Sequence, residues 1–192
     1  MPKPRLGIDL FSIRDQGWSA FQFLDYAAQH GVEIVHFSEP RFFGGLEEAH
    51  LRQVKARADQ LGLSLEAGLG CICPTSNRFN AKDGSAHDQL VRFFGVAQLV
   101  GSPLVRVFLG DSRDRVPPPG IEAHIESAVK VLRSVRTQAM DRGLQIAVEN
   151  HAGDLQAREM KTLIEEAGRD FVGSCLDSGN PVWAIEDPHL TL

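Results

Sequence analysis

Short apolar runs alternate with longer amphipathic stretches along the chain, and a glycine marks most returns from one to the other. The apolar runs are RLGIDLFSI, VEIVHFS, LSLEAGL, PLVRVFL, LQIAVEN and FVGSCLD. They are rich in Val, Ile, Leu and Phe with few charges, as strands are when other elements cover both faces. Between them, Leu51, Val54, Ala58 and Leu61 share one helical face. Ile121, Ile125, Ala128, Val129, Leu132 and Val135 do so in one helix predicted near 121–142, and Met160, Leu163, Ile164 and Ala167 do so near 157–167. Their spacing of three and four is that of a 3.6-residue turn. Ser19 followed by Gln22 predicts a reciprocal cap at the start of the first helix. Gly31, Gly62, Gly101, Gly143 and Gly168 each stand between a helical and a strand pattern, where a helix commonly ends on a residue with positive φ. After the last run, PVWAIEDPHLTL reads as the start of a sixth helix.

This alternation predicts an α/β fold with a parallel sheet and crossover helices. The first strand-to-helix turn carries no Gly-x-Gly-x-x-Gly phosphate loop, so an open dinucleotide-binding sheet loses support. Six units average about 32 residues each, and eight would need roughly 256, near the ~250 of a (β/α)8 barrel. The expectation is a single TIM-barrel domain over residues 1–192, amounting to about six βα units and lacking the last two. Its first and sixth strands would then be unpaired edges that favour self-association into a homo-oligomer.

A net charge of −5 gives no footprint for a nucleic-acid phosphate backbone. No apolar run approaches the ~20 residues needed to span a membrane. Three cysteines cannot all pair, and the start MPKPRLGIDL lacks a signal peptide's long apolar run. Both point to a reducing, cytoplasmic setting.

Barrel chemistry sits at the carboxyl ends of the strands. Those ends offer Asp9 and Ser12, His36 and Glu39, Glu66, Arg106, then Glu149, Asn150 and His151, then Asp177 and Asn180. Glu149 and Asp177 each terminate an apolar run, where a carboxylate is costly to desolvate without a cationic partner. Two such acids on neighbouring strands suit a hard or borderline divalent ion such as Mn2+ or Mg2+. The competing reading makes each a solvated loop residue or a helix cap, for which Ser178 and Gly179 suit Asp177. Glu66 reads equally as a substrate contact or a structural partner of a residue such as Arg106, and His36 as a functional or merely capped loop histidine. Cys71-Ile72-Cys73 lacks the second pair of a metal site and reads as an ordinary loop. His30, His50, His87, His124 and His189 read as surface residues, and Trp183 as walling the pocket or, preferably, packing under a helix start.

AVENHAGD and CLDSGNPVWAIEDP resemble the fifth- and sixth-strand segments of the sugar phosphate isomerase/epimerase (xylose isomerase-like) family, and LGIDLFSIR is similar to its first strand. The resemblance implies an enzyme with one divalent metal, Mn2+, Mg2+, Co2+ or Zn2+, bound by a strand-five Glu, a strand-six Asp and two later ligands. Glu149 and Asp177 match the first two, and the other two would lie beyond Leu192. It implies a small-molecule carbohydrate substrate whose α-proton Glu149 removes or returns through an enediolate. Arg106 would hold a phosphate or carboxylate, with His151, His36, Asn180 and Glu66 as further substrate contacts. An inosose-type dehydratase would use the same site, and a further alternative is a catalytically incompetent fragment of such an enzyme. A multi-zinc apurinic endonuclease relative would instead need a His three residues after the strand-six Asp, and that position is Asn180.

Overall fold

The computed structural model describes residues 3–192. Six strands among them hydrogen-bond in chain order: β1 (Gly7–Asp9), β2 (Ile34–Phe37), β3 (Ser64–Cys71), β4 (Leu104–Phe108), β5 (Gln145–Glu149) and β6 (Val172–Cys175). They alternate with helices α1 (Ala20–Gln29), α2 (Glu48–Gln60), α3 (Ala86–Val100), α4 (Ile121–Ser134), α5 (Arg136–Asp141), α6 (Ala157–Ala167) and α7 (Pro188–Thr191). The pairing is parallel and sets Asp9 beside His36, His36 beside Glu66, and Glu149 beside Cys175. This is the alternation of a TIM barrel. The residues cluster into two compact units, one running to Leu69 and including Phe93–Val105, the other formed by Gly70–Arg92 and Arg106–Leu192.

In the first unit the core is built from the faces that the periodicity marks. Leu51, Val54 and Ala58 of α2 are fully buried, and so are Leu24 and Ala27 of α1. Phe37 at the end of β2 stacks on Phe43 at 4.4 Å. Ser19 and Gln22 form the expected cap, with the Ser19 amide donating to Gln22 Oε1 at 2.9 Å. β1 is shorter than its apolar run. The Asp9 carboxylate accepts the Phe11 N–H at 2.8 Å and starts a 3-10 segment over Leu10–Gln16, so a side chain outcompetes the sheet for the backbone.

In the second unit Ile121, Ile125, Ala128, Val129 and Leu132 turn the α4 face inward. The single helix expected over 121–142 breaks at Val135, whose φ of −104° and ψ of 4° leave the helical region between α4 and α5. The expected sixth helix is a 3-10 turn, Asn180–Ala184, and then the short α7. Ile185 between them, at φ 55°, cannot continue a right-handed turn.

All five junction glycines have positive φ, from 64° at Gly143 to 129° at Gly168. After Gly31, Gly62, Gly101 and Gly143 the next residue's N–H returns to the fifth residue back, as Leu63 does to the Ala58 carbonyl at 2.9 Å, which satisfies an otherwise orphaned helix carbonyl.

The loops after β3 and β4 are tied together within the second unit. Buried Asp114 accepts from Ser76 Oγ (2.7 Å), the Asn77 N–H (3.0 Å), Asn77 Nδ2 (2.7 Å) and the Asp111 N–H (3.2 Å). Gly110 sits against this knot, where a Cβ would clash with the Asp114 carboxylate and approach Ser76 Oγ to 2.7 Å. Beside it the Arg113 guanidinium holds the Asp111 carboxyl down at about 2, below its usual 3.8. A depressed folded pKa contributes stability that is present above the unfolded value and is lost as pH falls through the folded one. Acid unfolding curves of Asp111→Asn are therefore expected to be flatter than those of the parent between pH 4 and 2. Parallel slopes across that window would refute the role of this pair.

Candidate active site

Glu149 ends β5 and is 8% exposed. Burying a carboxylate is costly unless a cation pairs with it, and Arg106 of β4 supplies that cation. Its Nε donates to Glu149 Oε2 at 2.5 Å, and Nη2 reaches the same oxygen. The two side chains are only 7% and 11% exposed. Two residues on, Phe108 shares the Arg106 face of the strand. The guanidinium carbon lies 5.0 Å from its ring centre, and the ring stacks on the His151 imidazole at 3.9 Å and 18°. A guanidinium, an aromatic ring and an imidazole thus form one layer beside the Glu149 carboxylate.

Asn150 carries the site to the next strand. Its Nδ2 donates to the Asp177 carbonyl at 2.8 Å and its Oδ1 accepts the Asp177 N–H at 2.9 Å. Asp177 lies two residues past the end of β6 rather than at it, so this side-chain bridge, not the sheet ladder, positions it. Asp177 Oδ1 accepts the N–H groups of Gly179 (2.7 Å) and Asn180 (3.0 Å) and so caps the following turn. Asn180 in turn extends its amide to Glu149 Oε1 at 3.4 Å. One residue therefore contacts both acids, through its backbone and its side chain.

His151 Nδ1 lies 2.8 Å from the Gly110 carbonyl. A carbonyl only accepts, so Nδ1 bears the ring proton. Burial pushes the imidazole below its usual range; the Gly110 contact opposes this and the Arg106 charge adds to it. The turn after His151 is tight. Ala152 and Gly153 have φ of 46° and 81°, and a Cβ on Gly153 would lie 2.7 Å from the Trp183 carbonyl oxygen.

The structure brings Arg106, Glu149, His151, Asp177 and Asn180 into one constellation in the second unit. His36 and Glu66 belong to the first unit and pair with each other, Nδ1 to Oε2 at 3.1 Å. Glu66 thus has a partner on the neighbouring strand, while Arg106 pairs with Glu149. Two single-residue expectations change. His124 is buried, not on the surface. It lies on the inward face of α4 with Nδ1 2.8 Å from Thr75 Oγ1, and its spacing from Ile121 and Ala128 is that of the buried face. Trp183 is 68% exposed and does not pack under a helix. Cys71 is buried and donates to the Leu109 carbonyl at 2.8 Å, and burial pushes its thiol up to about 12. That excludes a reactive thiolate near neutral pH. Asp154, a buried carboxyl with no apolar pattern to announce it, is the residue that sequence reasoning missed. It accepts the N–H groups of Leu109, Gly110 and His151, and the only hint was an Asp closing a glycine-containing turn.

Hard carboxylate oxygens suit a divalent ion. Among the described residues Glu149 Oε1 receives the long Asn180 contact, and Asp177 directs one oxygen to its own turn. Both residues fit as ligands. Among the described residues no group of three or more His, Cys, Asp or Glu side chains is placed to hold an ion.

The family model described as a xylose isomerase-like TIM barrel matches residues 24–191. A 3-oxo-isoapionate decarboxylase of Pectobacterium atrosepticum is 24% identical over 166 residues, 86% of this chain and 53% of the relative. The chain therefore spans about half the length of that curated relative. The crystal structure of D-psicose 3-epimerase with D-tagatose from Clostridium cellulolyticum H10 superposes with a TM-score of 0.73 at 15% identity, covering 93% of this chain and 65% of that one. A probable 3-DHS dehydratase from Bacillus anthracis superposes with a TM-score of 0.71 at 14% identity, covering 98% and 68%. At these identities the structural matches establish the fold.

Proposed function

The chain belongs to the xylose isomerase-like TIM-barrel family, and from that premise we propose that it carries the proton-transfer half of an enzyme site that isomerises or epimerises a sugar, sugar phosphate or related keto-polyol. The observation that carries this reading is the buried Glu149 carboxylate, compensated by Arg106 and linked through Asn180 to a second acid, Asp177.

In this reading Glu149 and Asp177 hold a divalent ion together with ligands from outside this chain. The ion, when bound, makes a substrate carbonyl more electrophilic. Every other contribution comes from the protein. Glu149 takes the proton from the carbon next to the carbonyl and returns it to the same or the neighbouring carbon. Return to the opposite face needs a second group, as epimerisation requires. Asn180 orients Glu149 and Asp177 relative to each other. The His151 Nε2 accepts a hydrogen bond from a substrate hydroxyl, because its proton is committed to Nδ1. Arg106 compensates charge near the carbon that becomes an enediolate.

A second reading, loss of carbon dioxide from a 3-oxo sugar acid, is favoured by the decarboxylase relative and by the buried guanidinium. Epimerisation and decarboxylation both pass through a carbanion beside a carbonyl, but only the second releases carbon dioxide, so one experiment separates them. The chain is incubated with Mn2+ and a panel of ketoses, aldoses, inososes and 3-oxo sugar acids in deuterated water, reading deuterium at the α-carbon by NMR and carbon dioxide release. Deuterium uptake into an unchanged carbon skeleton supports the leading reading, and carbon dioxide release the second. Neither signal from the chain or from any longer protein containing it would sink both.

A further inference from the structure

Asp154 is fully buried, and the chemistry above makes no use of it. Its carboxyl joins two strand-end loops. Oδ2 accepts the N–H groups of Leu109 (3.1 Å) and Gly110 (3.0 Å) after β4, and Oδ1 accepts the N–H of His151 (2.7 Å) after β5. Its own carbonyl accepts from Arg115 Nη1 at 2.8 Å, and that guanidinium is anchored by Glu159 of α6.

A buried carboxyl used only to satisfy loop amides is an expensive device, since ordered water or a shorter loop would serve. What this one adds is a distance. The residue whose N–H it grips, Gly110, offers the carbonyl that receives the His151 ring proton at 2.8 Å. The residue whose N–H lies on its other oxygen is His151 itself. One carboxyl therefore holds the carbonyl and the imidazole at hydrogen-bonding separation. Phe108, stacked at 3.9 Å, fixes the ring plane. Nε2 of His151 makes no hydrogen bond among the described residues.

Resting on the carbohydrate reading above, we propose that Asp154 is a positioning residue: by gripping the Leu109, Gly110 and His151 amides it commits the His151 proton to Nδ1 and presents Nε2 as the acceptor for substrate. It acts through His151 and touches no substrate. A loop tie with no such role would leave the tautomer unaffected.

The test is a long-range 1H–15N spectrum of the histidine side chains of the whole chain, with His151→Gln identifying the resonance. The parent is expected to show one neutral His151 tautomer, protonated on Nδ1. Asp154→Asn sets an NH2 group against one of the gripped amides and is expected to give mixed tautomers. It should also lower kcat for α-proton exchange about tenfold or more with little change in KM. An Asp154→Asn variant with an unchanged backbone spectrum and an intact Nδ1–H tautomer overturns the proposal. Should that variant fail to fold, scalar couplings in the parent decide. Couplings from the three amide nitrogens to the Asp154 carboxyl carbon, with His151 protonated on Nδ1, sustain it, and their absence or a proton on Nε2 overturns it. A parent without exchange activity would fail the functional reading while leaving the tautomer result to stand or fall alone.

Discussion

Replacing Arg106 with leucine is expected to lower the unfolding free energy by about 3–5 kcal/mol, the cost of leaving one member of a buried ion pair without its partner. The value belongs to the upper end of single-residue effects because both side chains are nearly excluded from water, so solvent cannot replace the lost guanidinium. Leucine also forfeits the cation–ring contact with Phe108, worth about 0.5–2 kcal/mol where desolvated. The double variant Arg106→Leu with Glu149→Gln removes the orphaned charge and is expected to recover most of the loss, as apolar replacements of buried pairs often do. Urea unfolding of the parent, both single variants and the double variant provides the cycle. An Arg106→Leu loss below about 1 kcal/mol, or no recovery in the double variant, would show that the pair does not compensate Glu149.

Glu149→Gln is expected to depress α-proton exchange by about 100- to 10,000-fold, the usual contribution of a positioned general base. The amide oxygen can still accept from Arg106, so the site keeps its shape while losing the lone pair that takes the proton. The effect should fall on kcat and kcat/KM together, because the interaction exists only as the proton moves. Mn2+ affinity should weaken as well, since one of the two carboxylates is gone. A Glu149→Gln variant that exchanges protons at the parental rate would remove Glu149 from the reaction and, with it, the leading functional reading.

The fold was legible where one local rule and one periodic pattern agreed. Gly62 combines a helix end with the start of an apolar run, and it adopts the φ of 70° that a chain reversal needs. The α4 face was readable from Ile121 to Leu132, and the same spacing would have placed His124 inside had residue type not been given more weight. The candidate site was legible in Glu149, because a charge that terminates an apolar run has few structural reasons to be there; Asp177 lies past the strand end and its carboxylate also caps the following turn, as the competing reading expected. Their partners were not. The Arg106–Glu149 bond depends on side chains of two strands meeting across 43 residues of sequence, which no single-strand pattern encodes. Asp154 was invisible for another reason: its partners are backbone amides, and every residue but proline has one. The end of the chain misled because an apolar segment with two prolines can start a helix or interrupt one, and Ile185 at positive φ decided for interruption.

The close approach of Gly153 to the Trp183 backbone couples two pieces of the surface that sequence would treat as independent. The turn bearing His151 and the segment downstream of Asp177 are in close contact at Gly153, since the gap between them admits a hydrogen and no methyl group. Attempts to retune substrate preference by grafting new residues after Asp177 would therefore disturb the imidazole as well, unless position 153 stays bare and the graft preserves the course of the Trp183 backbone.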